Sequence, residues 1–290
     1  MEKSPLNNEN PYARSSIVLT TKHGKVSAIA PPFRKKLAAE VTECNLDTDM
    51  FGTFSGEVER KNNALESACH KCEWGMKQIL ADYGLASEGS FGPHPFIPFL
   101  PCDHEILYFI DRKRDFHLHI SHLSQRTNYQ MQVIDSLEAL QKLAQQTQFP
   151  SHALIIRPNA WEDKSIIFKG IQSQNLLEEA FKESLKHSAD NKVWVETDMR
   201  AHLNPSRMVV ITELAEKLAE RLANTCPKCN MPGWGKVRVQ KGLECNCCKS
   251  ETELVKTEIF GCTKCDYEET KQRADSLTSA TPENCSYCNP

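Results

Sequence analysis

Residues 193–208, with the sequence VWVETDMRAHLNPSRM, decide the fold that this chain is expected to adopt. Their first three residues form a β-type run. Asn204-Pro205 is typical of a helix start, with Asn as the N-cap and Pro in the first helical position. The following residues, to about 223, have apolar side chains at helical spacing. A strand is therefore followed by a helix here, and in open α/β sheets ligands bind at such strand ends.

Polar side chains are concentrated at this junction between strand and helix. Ordinary surface ion pairs would account for any one of them, but two carboxylates, two guanidiniums and an imidazole together favour a functional site. We predict catalytic roles for Glu196, Asp198, Arg200 and His202, and ligand-binding roles for Asn204 and Arg207.

The rest of the chain alternates β-type and helical segments. This alternation predicts an α/β fold with a mixed sheet and helices on both faces, and no repeat of roughly 20–50 residues indicates a solenoid. Strands are expected near residues 17–21, 83–86, 129–134, 153–156 and 166–171, and a hairpin at 106–120. We expect residues 1–16 to be a flexible lead-in, residues 17–223 an α/β domain, and residues 224–290 a small cysteine-rich domain.

The composition is that of an ordinary soluble protein. Of 290 residues, 40% are hydrophobic and 25% charged, and the net charge of -3 gives no general attraction to nucleic acid or anionic membranes. The sequence contains neither an apolar run long enough to span a membrane nor the apolar core of a signal peptide. These features predict a cytoplasmic protein that does not bind membranes.

Two further polar stretches follow predicted strands. Residues 22–25 (KHGK) form a basic turn whose amides and ammoniums suit a phosphate, although a solvated turn explains them equally well. Residues 87–95 (SEGSFGPHP) form a glycine-containing loop that lets a ligand come close to the backbone, although a loop shaped only for turning remains an alternative. We predict Lys22, Lys25 and Ser90 to bind a ligand, and Glu88 and His94 to act in catalysis.

The cysteines indicate metal binding. Nine of the 13 lie after Thr225, and eight of these form Cys-x-x-Cys pairs in a segment with few large apolar residues. Such pairs, in a chain without a secretion signal, predict two tetrahedral four-cysteine zinc sites whose metal supplies the folding free energy. Four thiolates leave no position for water, so these zinc ions would be structural. The predicted ligands are Cys226, Cys229, Cys245, Cys248, Cys262, Cys265, Cys285 and Cys288.

The pairing of these ligands has two alternatives. We expect a nested arrangement, in which Cys245, Cys248, Cys262 and Cys265 form a zinc ribbon and the outer four cysteines form a second site. In the sequential alternative the first two pairs share one metal and the last two share the other. Cys247 is an extra thiol, while Cys69 and Cys72 lie in a helical pattern and are expected to be structural cysteines. From residue 226 onward nine Lys/Arg balance nine Asp/Glu, which disfavours a nucleic-acid clamp.

Two resemblances extend this interpretation. Residues 87–95, residues 196–208 and the cysteine tail together resemble an uncharacterised family of bacterial proteins known only as a domain of unknown function. Residues 17–92 resemble, more weakly, the opening of the house-cleaning pyrophosphatases that remove non-standard purine nucleoside triphosphates. That second resemblance implies phosphate-binding roles for Lys22 and Lys25 and acidic site residues at Glu57 and Glu88. The turn lacks the Asn of that family, and the zinc tail has no counterpart there.

Two functions are consistent with these residues. The first is a metal-dependent phosphohydrolase for a nucleotide or related phosphate ester, with Mg²⁺ held by Glu88, Glu196 and Asp198. The second is a non-enzymatic anion- or nucleotide-binding protein whose zinc ribbon docks a protein or nucleic-acid partner. The acidic residues beside the cations favour the enzyme, because a simple anion binder does not need them. This hypothesis requires Glu88 and Glu196 to face one cleft.

Overall fold

The computed structural model describes residues 10–48, 62–160 and 165–290. They form two compact units, Arg14–Leu218 and Ala219–Pro290, the second of which also includes residues 10–13. The predicted mixed α/β fold is confirmed, together with a cysteine-rich C-terminal segment that could bind metal. No helix among the described residues is both long enough and apolar enough to cross a membrane.

The described elements include a strand, Glu40–Cys44, that the sequence pattern did not predict. Before the cysteine-rich segment they are β1 (Ser16–Thr20), α1 (Val26–Leu37), β2 (Glu40–Cys44), α2 (Ala64–Gln78), β3 (Tyr83–Pro93), β4 (Pro101–Asp111), β5 (Phe116–Ser124), β6 (Met131–Ile134), α3 (Leu137–Gln146), β7 (Leu154–Pro158), β8 (Phe168–Ile171), α4 (Gln174–Lys186), β9 (Val193–Thr197) and α5 (Pro205–Ala223). Within that segment they are β10 (Gly235–Lys241), β11 (Val255–Gly261) and β12 (Glu268–Gln272).

A five-stranded mixed sheet has the order β2-β1-β3-β4-β5. β1 is parallel to both β2 and β3, while β3, β4 and β5 are antiparallel. Because side chains alternate along a strand, Val18 and Ala86 pack against α2, whereas Leu19 and Leu85 are buried on the other face. α2 packs closely against the end of β1, because a Cβ at Gly75 would collide with Thr20.

β3 is longer than the sequence pattern suggested. Residues 87–93, expected to be a loop, continue the strand and pair with β4 as far as Pro93 opposite Pro101. Gly89 and Gly92 are accommodated in the strand because β4 supplies the hydrogen-bond ladder, and this pairing is not visible in residues 87–93 themselves. The alternation of side chains therefore continues through this stretch, and Glu88 and Gly89 point to opposite faces of the sheet.

The remaining strands of the α/β unit form a second, four-stranded sheet. Its order is β6-β9-β7-β8, and every neighbouring pair is antiparallel. Residues of α3 and α4 pack on one face of this sheet in a shared apolar core. Both helices begin at serine N-caps, Ser136 and Ser173, whose side chains accept a backbone N–H of the first turn. The strands after residue 130 thus build a separate sheet.

The C-terminal unit contains the antiparallel sheet β10-β11-β12. The start of β10 lies opposite the end of β11, since Gly235 pairs with Gly261, and Lys241 pairs with Val255 at the other end. Trp234 stacks on Tyr267 with ring centroids 5.5 Å apart. Most side chains of β10 are exposed, so this unit has a small apolar core.

Candidate functional site

A buried polar cluster lies where the parallel strand β1 ends beside the middle of β3. Lys25 immediately precedes α1, and its Nζ donates a hydrogen bond to Ser87 Oγ at 2.7 Å. On the opposite face of β3, Glu88 forms a buried ion pair with Lys71 of α2. The basic turn and the Ser-Glu-Gly segment, which the sequence singled out separately, therefore meet at one strand edge.

A second ion pair lies on the face of the sheet that bears Ser87. Arg207 of α5 donates through Nε to Glu105 of β4 and through Nη1 to the carbonyl oxygen of Met199. Its guanidinium lies 5.0 Å from the centroid of the Phe91 ring. Gly89 is required here, because a Cβ at this position would collide with both members of the pair. Both ionic side chains are 1% exposed, so the pair is fully buried.

The electrostatics of this region are strongly perturbed. Burial and the positive charge of Arg207 lower the pKa of Lys25 to about 8, against the opposing effect of Glu105 and Glu88. Burial and the negative charge of Glu105 raise the pKa of Asp103 to about 8. Neither carboxyl oxygen of Asp103 has a hydrogen-bond partner among the described residues. Buried groups whose pKa values are shifted towards neutral pH are typical of functional sites.

Replacing Asp103 with asparagine is expected to stabilise the protein progressively as the pH rises from about 4 to 8. In the folded protein this carboxyl titrates near pH 8, against 3.8 for an unperturbed Asp. Between these values the folded state holds a proton that the unfolded state has lost, so wild-type stability falls by up to about 1.4 kcal/mol per pH unit. Urea unfolding at pH 5 and pH 8 measures the difference. The exposed Asp135→Asn variant is the control; equal effects of Asp103→Asn at both pH values would contradict the prediction.

The two carboxylates at the end of β9, Glu196 within the strand and Asp198 directly after it, have partners of their own. Asp198 is fully buried and accepts hydrogen bonds from the Arg200 guanidinium, the closest at 2.6 Å, and from the backbone N–H of Gly170. Glu196 accepts a hydrogen bond of 2.9 Å from the Trp194 indole, and burial raises the pKa of its carboxyl. Glu196 is thus directed at Trp194 on the small sheet, and Glu88 at Lys71 on the large sheet.

The imidazole of this stretch contacts the basic turn. The exposed His202 stacks on His23, with ring centroids 5.3 Å apart. Burial and the neighbouring Arg200 lower the pKa of His202. Lys22, which precedes His23 in the chain, is partly exposed and forms an ion pair with Asp47 at 2.8 Å. The turn after β1 and the segment after β9 are therefore neighbours in space.

Asn204 caps α5. Its Oδ1 accepts the backbone N–H of Arg207 at 3.0 Å, and its Nδ2 donates to Asn128 Oδ1 at 2.8 Å. Asn204 is 1% exposed, so both ends of its amide are bound inside the protein. The helix start predicted from Asn204-Pro205 is confirmed.

Three other predicted site residues are not part of the cluster around Lys25 and Glu88: two lie away from it, and one is not among the residues that the structure describes. His94 is in the turn between β3 and β4, where its Nδ1 accepts the backbone N–H of Phe96. An extended strand rises about 3.3 Å per residue, so the backbone of His94 is roughly 20 Å along the chain from that of Glu88. Ser90 lines a cavity of about 340 Å³ with Cys102 and His104. Glu57 lies outside the described residues.

The charged residues Lys71, Asp103 and Glu105 were missed by the sequence interpretation. Lys71 was assigned to a helix without a role, although it is buried on the side of α2 that faces β3. Asp103 and Glu105 lie on one face of β4, with His104 between them on the other face. The signal was available, because Leu107 and Phe109 share their face and are buried, which places two acids on an inward-facing strand surface.

The eight predicted metal ligands form two clusters. One contains Cys226, Cys229, Cys262 and Cys265, and the other contains Cys245, Cys248, Cys285 and Cys288, with all sulfurs of a cluster within 4.8 Å of one another. The closest sulfur pairs are 3.5 Å apart in each cluster. A tetrahedral Zn–S bond of about 2.3 Å implies sulfurs about 3.8 Å apart, so both clusters could hold a metal ion.

The pairing is interleaved, and the nested arrangement expected from the sequence is wrong. One cluster combines the first Cys-x-x-Cys pair with the third, and the other cluster combines the second pair with the fourth. The reason is the length of β11, which lies between the second pair and the third. Seven extended residues span roughly 23 Å, so these two pairs lie at opposite ends of the strand. The sequential alternative is excluded by the same clusters.

Backbone hydrogen bonds prepare the cysteine pairs for metal binding. The residue after the second cysteine donates its N–H to the carbonyl of the first cysteine in three pairs, for example Lys249 to Cys245. Hydrogen bonds from the side chain and backbone of Ser250 lower the pKa of the Cys248 thiol to about 6. A metal ligand must be a thiolate, and hydrogen bonding with the neighbouring cysteines raises the pKa of Cys288 in the same cluster, so the thiol environment favours the thiolate at Cys248 but not at Cys288. Cys247 is exposed and belongs to neither cluster.

Carboxylates do not form a comparable metal site in the described part of the chain. The groups of three or more potential ligands that lie close enough to hold a metal ion are the two cysteine clusters. Glu88, Glu196 and Asp198 are not such a group, and each has a different partner. A Mg²⁺ ion would have to be held by one or two carboxylates together with the phosphates of a ligand.

The fold and the clusters define an α/β protein whose C-terminal unit carries two four-cysteine clusters that could hold metal ions. A family model described as a domain of unknown function, DUF6671, matches residues 71–290. The chain therefore belongs to this uncharacterised family, as the resemblance of its motifs predicted. The comparison with curated proteins finds no match.

Proposed function

We propose that the α/β unit hydrolyses a phosphate ester or phosphoanhydride, with a nucleotide or a related compound as substrate. The observation that carries the proposal is that Lys25, on one face of β3, and the pair of Lys71 and Glu88, on the other face, both lie beside the carboxyl end of β1. Ligands of α/β sheets bind at this edge. Two buried ammoniums suit the charge of a phosphate, and a carboxylate beside them suits proton transfer from water.

The start of α1 supports an anion at the same edge. Gly24 has a φ of 64°, a left-handed conformation that turns the chain from β1 into α1. No side chain caps this helix, and its first turn contains no acidic residue. The first amides of α1 are therefore suited to a phosphate oxygen. Lys22 and His23 lie in the same turn, and the contact of His23 with His202 extends the site towards the segment after β9.

Buried hydroxyls next to the lysines support a polar ligand. Thr20 Oγ1 and Ser67 Oγ are buried and lack a hydrogen-bond partner among the described residues. Ser67 precedes Lys71 by one helical turn on α2, and Thr20 ends β1. Because buried hydroxyls are nearly always hydrogen-bonded, a bound phosphate or its water shell would satisfy them.

In the proposed reaction a water molecule attacks phosphorus and the bond to the leaving oxygen breaks. Glu88 accepts the proton of the attacking water, while Lys25, Lys71 and the first amides of α1 stabilise the charge on the phosphate oxygens. The resemblance of residues 17–92 to the house-cleaning pyrophosphatases is consistent with these roles for Lys25 and Glu88. No step depends on Mg²⁺, which would arrive with the substrate.

The test is turnover of a nucleotide panel that includes inosine and xanthosine triphosphates, with and without Mg²⁺, measured as release of phosphate and pyrophosphate. Glu88→Gln is expected to lower kcat/KM at least about a hundredfold, and Lys71→Met to do the same. Glu179→Gln and Lys182→Met, on the exposed surface of α4, are matched controls and should stay within twofold. Metal content and circular dichroism establish that each variant is folded. Absence of turnover with every substrate would contradict the proposal.

The second candidate is a binding protein without turnover. It is favoured by the internal pairing of Arg200 with Asp198 and of Arg207 with Glu105, which assigns these cations a structural role. In that case the nucleotide panel would show saturable binding and no release of phosphate.

We further propose that both cysteine clusters hold structural zinc, since four thiolates are its usual ligands, and that this unit docks a partner. On its sheet Lys236, Arg238 and Lys241 pair with Glu258, Glu268 and Glu253. Because acids neutralise these basic side chains, a protein partner is favoured over nucleic acid.

A further inference from the structure

The buried pair of Arg207 and Glu105 lies next to the amine of Lys25. Lys25 donates to Ser87, and Ser87 and Gly89 are alternate residues of β3 on one face of the sheet. Gly89 is the residue against which Arg207 and Glu105 pack. Two residues of an extended strand span roughly 7 Å, and charges at this separation interact strongly inside a protein.

We propose that Arg207 is a positioning residue for Lys25: together with Glu105 it sets the charge that Lys25 presents to a phosphate ligand. That the ligand is a phosphate rests on the function proposed above, whereas the electrostatic coupling of Arg207 to Lys25 is independent of that function. This gives the segment after β9 a role at the strand edge, although Arg207 itself is too deeply buried to bind substrate.

The charges that face Lys25 come from four elements. Arg207 of α5 and Lys71 of α2 disfavour its ammonium form, while Glu105 of β4 and Glu88 of β3 favour it. Asp103 of β4 also interacts with Lys25, and its carboxylate, which forms as the pH rises through about 8, favours the ammonium. Burial adds to the first effect, and the pKa of Lys25 falls to about 8. The ammonium is therefore present at pH 7 and is lost as the pH rises through 8, so a phosphate ligand should bind below pH 8 and be released above it.

The titration of Lys25 can be measured without any turnover. Full-length, metal-loaded protein labelled with ¹³C at the lysine Cε carbons is titrated by NMR from pH 6 to 11, and Lys25→Arg assigns the signal. We expect Lys25 to titrate near pH 8, well below the roughly 10.4 of an ordinary lysine. A wild-type Lys25 that titrates at the ordinary value would overturn the proposal whatever the variants show.

Two variants separate the effects of the two partners. Glu105→Gln removes a charge that favours the ammonium, so the pKa of Lys25 should fall below its wild-type value. Arg207→Gln combined with Glu105→Gln also removes the opposing charge, which has the larger effect, so the pKa of Lys25 should rise above its wild-type value. Arg207→Lys, which keeps the positive charge, should leave the titration close to wild type. Shifts of both variants in one direction, or none, would contradict the assignment.

Binding of inorganic pyrophosphate then tests the phosphate part separately. With a Lys25 pKa near 8, the charged fraction falls about tenfold between pH 7 and pH 9, and affinity should fall in proportion in the wild type but not in Lys25→Arg. If Lys25 and the variants titrate as expected while pyrophosphate does not bind, the coupling stands and the proposed function fails.

Discussion

Replacing Cys226 and Cys262 together with serine should remove one of two bound zinc ions, whereas replacing Cys226 and Cys245 together should remove both. The interleaved clusters place Cys226 and Cys262 on one metal and Cys245 on the other. A site that loses two of four thiolates no longer has the closed tetrahedral shell of structural zinc. Zinc is counted per chain by inductively coupled plasma mass spectrometry after purification without chelators.

Cys247 provides a matched control for this experiment. It is exposed, adjacent in sequence to a ligand and outside both clusters, so Cys247→Ser should retain two zinc ions. The combination of Cys245 and Cys262 is the decisive variant. It should lose both ions if the pairing is interleaved, and only one if these residues shared a metal in a ribbon.

Loss of zinc should unfold the C-terminal unit. Zinc binding to four-ligand peptides supplies roughly 10–16 kcal/mol, more than the whole stability of a typical small domain. Here the buried apolar side chains are few, and the strand β10 is largely exposed. We expect chelation to abolish the dispersed amide signals of β10, β11 and β12 and to open this segment to proteolysis. A chelated protein that keeps these signals would show that the unit folds without metal.

Local signals in the sequence were sufficient for much of the fold. The helical pattern that contains Cys69 and Cys72 is α2, and Asn204-Pro205 begins α5. In both cases the information lies within a few residues, in a cap and in apolar spacing. The division into two sheets depends on pairing between distant strands, and the extension of β3 to Pro93 depends on its pairing with β4; periodicity encodes neither.

The candidate site was predictable to the extent that its residues follow the predicted β-type runs near 17–21 and 83–86, although Glu88 in fact lies within β3. Lys25 and Glu88 were found because turn and strand-end residues have recognisable patterns. Lys71 was missed because a lysine in an amphipathic helix is ordinarily exposed, and only the packing of α2 on β3 buries it beside Glu88. The cysteine ligands were identified by spacing, but their pairing follows from the length of β11, which separates the second pair from the third.

Breaking the buried pair of Arg207 and Glu105 should produce the largest loss of stability in the α/β unit. Arg207→Leu leaves the Glu105 carboxylate without its partner in the interior, and removing one member of a buried ion pair costs about 3–5 kcal/mol. Replacing both residues with leucine should cost less than Arg207→Leu alone, because no uncompensated charge remains. Urea unfolding of the two single variants and the double variant gives the coupling free energy directly.

An exposed ion pair on the same helix is the appropriate comparison. Arg126 pairs with Glu213 of α5, but its side chain is 60% exposed, and water solvates either charge when the other is removed. Arg126→Leu should therefore have only a small effect, and its cycle with Glu213→Leu should show little coupling. If the Arg207 and Arg126 cycles gave equal coupling, burial would not be the source of the effect. A large coupling for Arg207 alone would mean that a buried ion pair holds the segment after β9 against β4, and that neither charge of this pair can be removed singly without a large loss of stability. This requirement explains why Gly89 must leave space for both side chains.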